Sequence, residues 1–553
     1  MHLSAMVEQL NTEVDYLVRS QVTQPASEDF GGFLLSSDHV EPRLSGFGFS
    51  RLALAYVCRE SRHYLSDTVK EALKADFVYM NSHQRPDGCF DLSGCNFASP
   101  PDTAFMINAV LNAWWVMEKR AVPEAAWLNE PTYRLINSAA TGIAAGGFHT
   151  PNHRWAIASC LLSCAKITGR KELTERAEQY LFEGLDINEY GEFAERSSGN
   201  YNQVNDDQMI RLYMATGDTK YLEAAKANLE MMYAYIDPDD SVFTNNSTRQ
   251  DNGRKVYMDT YYILYLMVGY LLKDPSLGAM AEWIWNSSVQ KGHVPGGVEW
   301  LLLNADMDGY AADTPFDKPF ESIRRTFPDS KIVRVRRGQF SYTLLEDKPN
   351  FLYFQNGSFS MYMVIYENLC DRRNFLASSL KQTADGYRMK AHAESWYYLP
   401  FYPQDPGTSD WWAMDNPHNR RKTQGVPLDT AVEITDRDDG IDVRIHTEGI
   451  DRLPLRVEIG FLPGCQVRGD DFLLEGKAGQ SITMRGGDVE VKNHHGEIIT
   501  LSPTFGRHNV QSRSGGAYPQ SPDHFTLYMT DYTPVDRTFH IGAKQDTALH
   551  FPW

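Results

Sequence analysis

Two polar stretches of the sequence carry residue types that can bind an anion and move a proton. The first reads GGFHTPNHRW, and its Thr150 and Pro151 are the types expected at the cap and first position of a helix. Asn152, His153 and Arg154 then occupy the first turn, where backbone N–H groups and the helix dipole favour an anionic ligand. That placement also lowers the pKa of a histidine, so a neutral imidazole is as reasonable as a charged one. The alternative is an ordinary capped helix start.

The second stretch reads NEYGEFAERSSGNYN and precedes a helical pattern that runs from Val204 to Thr216. A loop so rich in polar and aromatic side chains is costly to bury unless its groups are paired. Tyr201 stands out because its neighbours are asparagine and glycine rather than an apolar stripe. It is either a reactive tyrosine or an aromatic side chain that covers the entrance of the helix.

Together the two stretches resemble the uronate polysaccharide lyases of the heparinase II/III and oligoalginate lyase group. The likeness consists of an Asn-His pair at a helix start, TPNHRW, followed by a loop of the form D-x-x-x-x-G-x-x-x-E-x-S-x-x-x-Y, here DINEYGEFAERSSGNY. The resemblance implies that Asn152 and His153 bind and neutralise a substrate carboxylate. It implies that Tyr201 is the catalytic acid, or both base and acid, and that a helical toroid is followed by a β-sandwich.

The chemistry of β-elimination explains these residue types. The reaction removes the proton α to a uronate carboxylate and expels the 4-linked oxygen, so hydrogen-bond donors must take up the charge that develops on the carboxylate. A tyrosine has an ordinary pKa near 10, which must fall by about three units, roughly 4 kcal/mol, before the side chain acts as a base at neutral pH. We expect Arg154, Arg196 or His153 to contribute to this lowering.

In the same group of lyases a second acid or base comes from the β-sandwich. The best match here is KAHAESWYY, in which His392 is retained while Lys390 and Glu394 replace the first histidine and the acid of an H-x-H-x-D pattern. These departures argue against a zinc-supporting role, and we expect no metal and no other cofactor. His392 is predicted to be catalytic, with an ordinary surface position on a strand as the alternative.

Further polar residues are predicted to contact an acidic sugar. Asp102 opens a helix after NFASPP, and Arg249 lies in the polar loop STRQD, although capping and loop roles would explain both. Arg334 and Arg336 share one face of a basic strand, and they either line the cleft or pair with carboxylates. The predicted substrate-binding residues are Asp102, His149, Arg154, Glu192, Glu195, Arg196, Asn202 and Arg249.

The elements that would position these residues change in type along the 553 residues. Up to about residue 303, apolar residues recur three and four positions apart between short Gly, Asp and Pro breaks, which predicts about ten or more antiparallel helices. We expect the helical hairpins to close into an (α/α) toroid, with an open solenoid as the competing packing. From Lys331 onward the pattern has period two, with turns about every 8–12 residues, which predicts an antiparallel β-sandwich. The predicted domains are residues 1–305 and 306–553.

Composition limits the partners. There are 53 Lys and Arg against 72 Asp and Glu, and a formal charge of −19 argues against a nucleic acid or an anionic membrane as the partner. No apolar run approaches the ~20 residues that span a bilayer, and the amphipathic N-terminal segment lacks the layout of a secretory signal. The seven cysteines are scattered, and Cys160 and Cys164 are expected to pack in the core. We therefore expect a cytoplasmic protein.

Three functions agree with these patterns. The first is a lyase that cleaves oligosaccharides containing uronic acid. The second is a glycoside hydrolase of the helical-toroid type, such as an exo-glucuronidase, which needs two carboxylates about 5–10 Å apart. The third is a carbohydrate-binding protein without catalysis, since 11 Trp and 29 Tyr offer surfaces on which sugars stack. The carboxylates available to a hydrolase are Asp102, Glu192, Glu195, Asp206 and Asp207.

Overall fold

A computed structural model describes residues 2–34, 39–369, 372–400, 407–413 and 421–546. It divides into two compact units, Met1–Tyr235 with Asp240–Lys318, and Ile236–Asp239 with Pro319–Trp553. The division therefore lies later than the predicted boundary between residues 305 and 306. The chain after residue 305 still belongs to the first unit because Asp308 accepts the backbone N–H of His2 at 2.9 Å.

The first unit is built from α-helices. In the described residues they are α1 (His2–Ser20), α2 (Pro42–Val57), α3 (Asp67–His83), α4 (Pro100–Arg120), α5 (Asn129–Ala145), α6 (Pro151–Thr168), α7 (Lys171–Leu181), α8 (Tyr201–Thr216), α9 (Lys220–Met232), α10 (Tyr262–Leu272), α11 (Pro275–Gln290) and α12 (Val298–Leu303). Two short hairpins accompany them, formed by β1 (Phe90–Leu92) with β2 (Asn96–Ser99) and by β3 (Ser241–Val242) with β4 (Val256–Tyr257).

Local sequence explains where these helices begin and end. α4 begins after Ser99, whose hydroxyl oxygen accepts the N–H of Asp102 at 3.3 Å, and prolines fill its first positions. α6 and α8 end at Gly169 and Gly217, whose φ angles of +72° and +74° place them in the left-handed region that glycine adopts without strain.

The even-numbered helices form an inner layer. α2, α4, α6, α8 and α10 contact one another in that order, and α12 contacts α4. Each odd-numbered helix from α3 to α11 packs against the even-numbered helix before it, while α1 contacts α2 and α12. This alternation of inner and outer helices confirms the predicted toroid.

The second unit is an antiparallel β-sandwich, as predicted. Its strands are β5 (Ser322–Phe327), β6 (Ile332–Arg337), β7 (Phe340–Leu345), β8 (Leu352–Asn356), β9 (Phe359–Leu369), β10 (Arg372–Asn374), β11 (Ser379–Gln382), β12 (Gly386–Ala393), β13 (Trp396–Tyr398), β14 (Lys422–Gln424), β15 (Leu428–Arg437), β16 (Gly440–Gly449), β17 (Pro454–Phe461), β18 (Cys465–Gly469), β19 (Leu473–Gly476), β20 (Ser481–Thr483), β21 (Val489–Lys492), β22 (Glu497–Ser502), β23 (Phe525–Tyr532) and β24 (Asp536–Gln545).

Two large sheets make up the sandwich. One has the order β20-β23-β17-β9-β8-β7-β6-β5, with β10 beside β9, and the other has the order β11-β12-β15-β16-β24-β22-β21-β18-β19. Period-two alternation gives each sheet an inner face, because successive side chains of a strand point to opposite sides. In β16, for example, Ile441, Val443 and Ile445 are fully buried in the core while Arg444 is exposed.

The basic strand β6 holds the segment Ile236–Asp239 within the second unit. Nη2 of Arg334 donates to Oδ1 of Asp237 at 2.7 Å, and Nη1 of Arg336 donates to the carbonyl oxygens of Ile236 and Asp237 at 3.3 and 3.1 Å. Both arginines are buried. Of the two roles that the sequence left open, Arg334 shows the pairing with a carboxylate, while Arg336 bonds backbone carbonyl oxygens.

The described part of the chain contains no helix that is long and apolar enough to cross a membrane. Six cysteines have free thiols, and the seventh, Cys370, lies outside the described residues. Cys160 and Cys164 are fully buried in α6 with their sulfurs 3.9 Å apart, so they pack in the core of the first unit.

Candidate active site

A cavity of about 880 Å³ lies in the helical unit and is bordered by all six even-numbered helices. Residues from the first turns of α2, α4, α6 and α8 line it: Arg43, Asp102, His153 with its neighbour Asn152, and Tyr201. The N-terminal ends of these helices therefore face a common space. Because helix N-termini carry partial positive charge, this end of the cavity favours a negatively charged ligand.

Asn152 is held by Glu195, whose carboxylate lies at the start of α6. Oε2 of Glu195 accepts the backbone N–H of Asn152 at 3.1 Å, and Nδ2 of Asn152 lies 2.6 and 2.7 Å from the two carboxylate oxygens. The same nitrogen lies 3.1 Å from Oγ1 of Thr150. Glu195 thus fills the anion position that the sequence assigned to a substrate carboxylate, and the amide hydrogens of Asn152 are already used.

His153 lines the cavity as a neutral imidazole. Burial lowers its pKa to about 4, although the nearby carboxylate of Asp102 acts in the opposite direction. The sequence suggested that the helix start lowers this pKa, but burial is the larger cause. Among the described residues Nδ1 of His153 has no hydrogen-bond partner, and the ring lies edge-on to Phe105 at 6.0 Å between centroids.

Arg249 is the cation that lies against Tyr201. Its guanidinium carbon is 4.6 Å from the centroid of the tyrosine ring, and its Nη1 is 3.8 Å from Oε1 of Glu195. The pKa of Arg249 is raised, and its interaction with the Tyr201 side chain is the largest cause. The expected neighbours, Arg154 and Arg196, do not line the cavity.

Asp251 fixes the loop that leads into Tyr201. Its Oδ1 accepts the hydroxyl of Ser197 at 2.7 Å, and its Oδ2 accepts the N–H of Gly199 at 2.9 Å. Oγ of Ser197 accepts the N–H of Tyr201 at 3.0 Å, which starts α8 at Tyr201 rather than at the predicted Val204. A Cβ atom at position 199 would lie 2.9 Å from Oδ2 of Asp251, so glycine permits this close approach.

Four of the predicted substrate-binding residues lie away from the cavity. Nη2 of Arg154 donates to the carbonyl oxygen of Gly184 at 2.8 Å. Glu192 and Arg196 border a separate, small space, and Asn202 is buried with its amide 3.6 Å from a methionine sulfur. These side chains hold loops and helices together because the polar loop is largely buried and must pair its own groups.

Asp102 and His149 are nearer to the cavity. Asp102 lines it and accepts the Ser99 hydroxyl at 2.6 Å and Nη1 of Arg43 at 3.3 Å. His149 is exposed, and its ring lies edge-on to that of His153 at 5.7 Å between centroids. Asp102 therefore supports the Ser99 cap of α4 and faces the cavity, and its contact with a sugar stays a prediction.

His392 lies on the exposed face of β12, in the sandwich unit. Its Nδ1 is 2.7 Å from Oδ1 of Asp429, and its Nε2 is 3.8 Å from Oε1 of Glu394. The hydrogen bond to Asp429 is the first cause of a raised His392 pKa. These contacts fit a surface residue of a strand, and within the described residues no group of three or more His, Cys, Asp or Glu side chains is arranged to hold a metal ion.

The residues that form the deep end of the cavity were not predicted from the sequence. Asn112 of α4 donates to Oε1 of Glu299 at 3.4 Å and accepts from Nη1 of Arg211 at 2.9 Å. Arg51 donates to Oε2 of Glu299 at 3.0 Å, and the guanidinium of Arg211 lies 5.0 Å from the ring centroid of Trp300. Burial would raise the pKa of Glu299, but Arg51, a backbone hydrogen bond and Arg211 together outweigh it and the pKa is lowered.

The carboxylates proposed for a hydrolase are not arranged as a free pair. Asp102 and Asp207 line the cavity, and each is paired with an arginine. Glu192, Glu195 and Asp206 lie outside the lining. Asp206 is fully buried, and burial raises its pKa well above the ordinary value, with Asp207 as a second cause. Among these five, the carboxyl group with the raised pKa therefore lies away from the cavity.

Comparison with known proteins gives a likeness in structure. No protein-family model and no curated protein sequence matches this chain. Among solved structures it is similar to Paenibacillus xanthan lyase, with a TM-score of 0.59 and 10% identity over 99% of this chain and 57% of that chain. The chain thus spans little more than half of that lyase.

Two further structures are covered more fully. Chondroitin AC lyase from Streptomyces coelicolor A3, in complex with chondroitin sulphate, has a TM-score of 0.56 at 11% identity, over 98% of this chain and 79% of that chain. A heparan sulfate lyase from Pedobacter heparinus has a TM-score of 0.54 at 9% identity, over 98% of this chain and 84% of that chain. At these identities the likeness shows the fold, a helical toroid with a β-sandwich, which the sequence motifs predicted.

Proposed function

We propose that the protein is a polysaccharide lyase that cleaves a glycosidic bond 4-linked to a uronic acid by β-elimination. The observation that carries this proposal is that Tyr201, Arg249 and His153 line one cavity of a fold shared with polysaccharide lyases. Xanthan, chondroitin sulphate and heparan sulfate, named with the similar structures, are acidic polysaccharides. An acidic glycan is accordingly the class of substrate.

In this mechanism Tyr201 moves the proton. Its phenolate oxygen takes the proton α to the uronate carboxylate, and the electron pair of that C–H bond forms the 4,5 double bond as the bond to the 4-linked oxygen breaks. The phenol then returns the proton to the departing oxygen, so that Tyr201 ends as it began. Arg249, whose guanidinium lies over the tyrosine ring, stabilises the negative charge while Tyr201 is without its proton.

The substrate carboxylate is assigned to His153 and Arg249. A neutral imidazole can donate one hydrogen bond to the carboxylate without taking up a proton itself. The guanidinium of Arg249 adds a full positive charge. The sequence predicts that Asn152 binds the substrate carboxylate, but in this mechanism it has a structural role. Because Glu195 holds its backbone N–H and its amide, Asn152 aligns the start of α6, and Glu195 is a positioning residue.

The proposal is tested by incubating the protein with a panel of uronate-containing oligosaccharides. β-Elimination leaves a conjugated 4,5-unsaturated uronate, so ultraviolet absorbance should rise in step with new reducing ends. New reducing ends without that absorbance would show hydrolysis instead. Binding of the oligosaccharides without new ends would show a carbohydrate-binding protein.

A further inference from the structure

The cavity in the helical unit is open at one end and closed at the other. Residues at the rim, among them Cys95, Gln250 and Thr260, are exposed. At the opposite end Asn112 and Trp300 line the same cavity and are buried. The exposed fraction of the lining residues therefore falls from the rim toward a floor.

The distance from mouth to floor follows from the helices that run along the wall. On α4 the lining extends from Asp102 to Asn112, and on α8 it extends from Tyr201 to Arg211. Ten residues separate the two positions in each case, which corresponds to about 15 Å of helix. The proposed proton-transfer group thus lies at the mouth, and the space continues below it.

The floor is a network that joins helices around the ring. Arg51 of α2, Asn112 of α4 and Arg211 of α8 all converge on α12: the first two hydrogen-bond Glu299, and Arg211 stacks on Trp300 and bonds Asn112. Side chains that meet from three helices cross the axis of the ring. A polysaccharide chain cannot pass through them.

We propose that this cavity is a blind pit that receives the end of a uronate chain, so that the enzyme releases short products from chain ends. This inference rests on the proposed function, because it places Tyr201 at the mouth of the pit. Each cleavage then occurs at a fixed distance from the end that touches the floor.

Product sizes and binding capacity test this inference separately from the chemistry. With a long uronate polymer, absorbance should rise while viscosity falls slowly, and the first products should already have their final, short length. Early products of many intermediate lengths with a rapid loss of viscosity would overturn end-on action while leaving the lyase chemistry in place.

A binding measurement tests whether the pit accepts chain ends, and it does not depend on turnover. Tyr201→Phe should be titrated with uronate chains of increasing length at equal mass concentration. If the pit binds only chain ends, the amount of protein bound by a given mass of glycan follows the number of chains. It therefore falls as the chains lengthen. A capacity that follows total length, or no binding to any of the chains, would overturn the inference. If binding follows chain number but the wild-type protein forms no unsaturated product, the proposed function fails and the pit stands.

A second inference comes from the charges of the same cavity. Each arginine in its lining is within 4.0 Å of a carboxylate: Arg43–Asp102 at 3.3 Å, Arg51–Glu299 at 3.0 Å, Arg211–Asp207 at 2.7 Å and Arg249–Glu195 at 3.8 Å. Glu195 lies behind the lining, which itself contains Asp102, Asp207, Asp259 and Glu299, so among the described residues its four arginines face four lining carboxylates. The one carboxylate assigned to His153 and Arg249 also has the partial positive charge of the helix starts, whereas a sulfate elsewhere in the cavity would meet only arginines that are already paired. We infer that the substrate carries carboxylates without sulfate groups.

Sulfation of a working substrate tests this inference. The oligosaccharide that the wild-type protein cleaves fastest should be compared with the same oligosaccharide after chemical O-sulfation, by turnover and by binding to Tyr201→Phe. Both should fall at least about tenfold, because like charges disfavour the complex. Equal or tighter binding of the sulfated form would overturn the inference, and binding of neither form would also overturn it. The binding arm needs no turnover, so loss of the proposed function would be recognised separately.

Discussion

The guanidinium of Arg249 lies over the phenol ring of Tyr201, with its central carbon 4.6 Å from the ring centroid. Two contacts keep the loops that carry these residues together. The hydroxyl of Thr248 donates to the carbonyl oxygen of Glu195 at 2.6 Å, and Asp251 holds the hydroxyl of Ser197 at 2.7 Å. The cation is therefore fixed over the phenol ring before any substrate binds.

Replacement of Tyr201 by phenylalanine removes one hydroxyl and leaves the ring. If Tyr201 transfers the proton, kcat should fall by roughly 10²–10⁴-fold, the usual contribution of a positioned acid or base. Substrate affinity should change little, and the free energy of unfolding should stay within about 1 kcal/mol. Steady-state kinetics and urea unfolding measure these quantities. Tyr213→Phe, on the same helix but outside the cavity lining, is the control and should keep full turnover.

Replacement of Arg249 by alanine removes the stacked cation. We expect kcat/KM to fall by roughly 10- to 100-fold, since the hydrogen bond that Arg249 would donate to the substrate carboxylate joins two charged groups and contributes about 1.5–3 kcal/mol. Arg254→Ala is the matched control, because Arg254 is an exposed arginine of the same loop. Equal kinetics for the two variants would remove Arg249 from the mechanism.

The buried imidazole of His153 should make stability depend on acid pH. Its folded-state pKa is about 4, below the ordinary 6.5, so between these values the unfolded chain binds a proton that the folded chain does not. This contribution to stability is therefore lost as the pH falls from 6.5 to about 4. Urea unfolding across this range should show wild type losing stability relative to His153→Gln, and parallel curves would contradict the assignment.

Asp206 should destabilise the protein as the pH rises. Its oxygens have no hydrogen-bond partner among the described residues, and burial raises its pKa well above the ordinary 3.8. The folded chain then holds a proton that the unfolded chain releases above pH 3.8, so stability falls as the pH rises from there. The free energy of unfolding of Asp206→Asn should increase relative to that of wild type between pH 3.8 and 7, and the variant should keep its turnover. A loss of turnover in the well-folded variant would favour the hypothesis that the protein is a glycoside hydrolase.

Patterns along the chain predicted the two-part fold because helical and strand periodicities are local properties. They also predicted that Asn152, His153 and Tyr201 begin or precede helices. What they missed is the occupant of the helix start. Whether Glu195 or a ligand fills the N-terminus of α6 depends on how a distant loop folds back, and spacing does not encode that.

The floor of the cavity was missed for a similar reason, although one signal was present. Asn108 and Asn112 stand one turn apart in the otherwise apolar helix α4, where a buried amide needs a partner. Their partners, Gln208 and Glu299, lie about 100 and 187 positions away along the chain. Periodicity shows such polar positions, but only the closed ring shows what they meet.

Mass spectrometry of the products of one defined uronate oligosaccharide tests the central claim most directly. Elimination adds no water, so the masses of the two fragments should sum to that of the substrate, and the fragment that carries the new double bond should absorb in the ultraviolet. Wild type should give this result and Tyr201→Phe should give it at least about a hundredfold more slowly. Fragments that sum to the substrate plus one water would contradict the lyase and show a hydrolase.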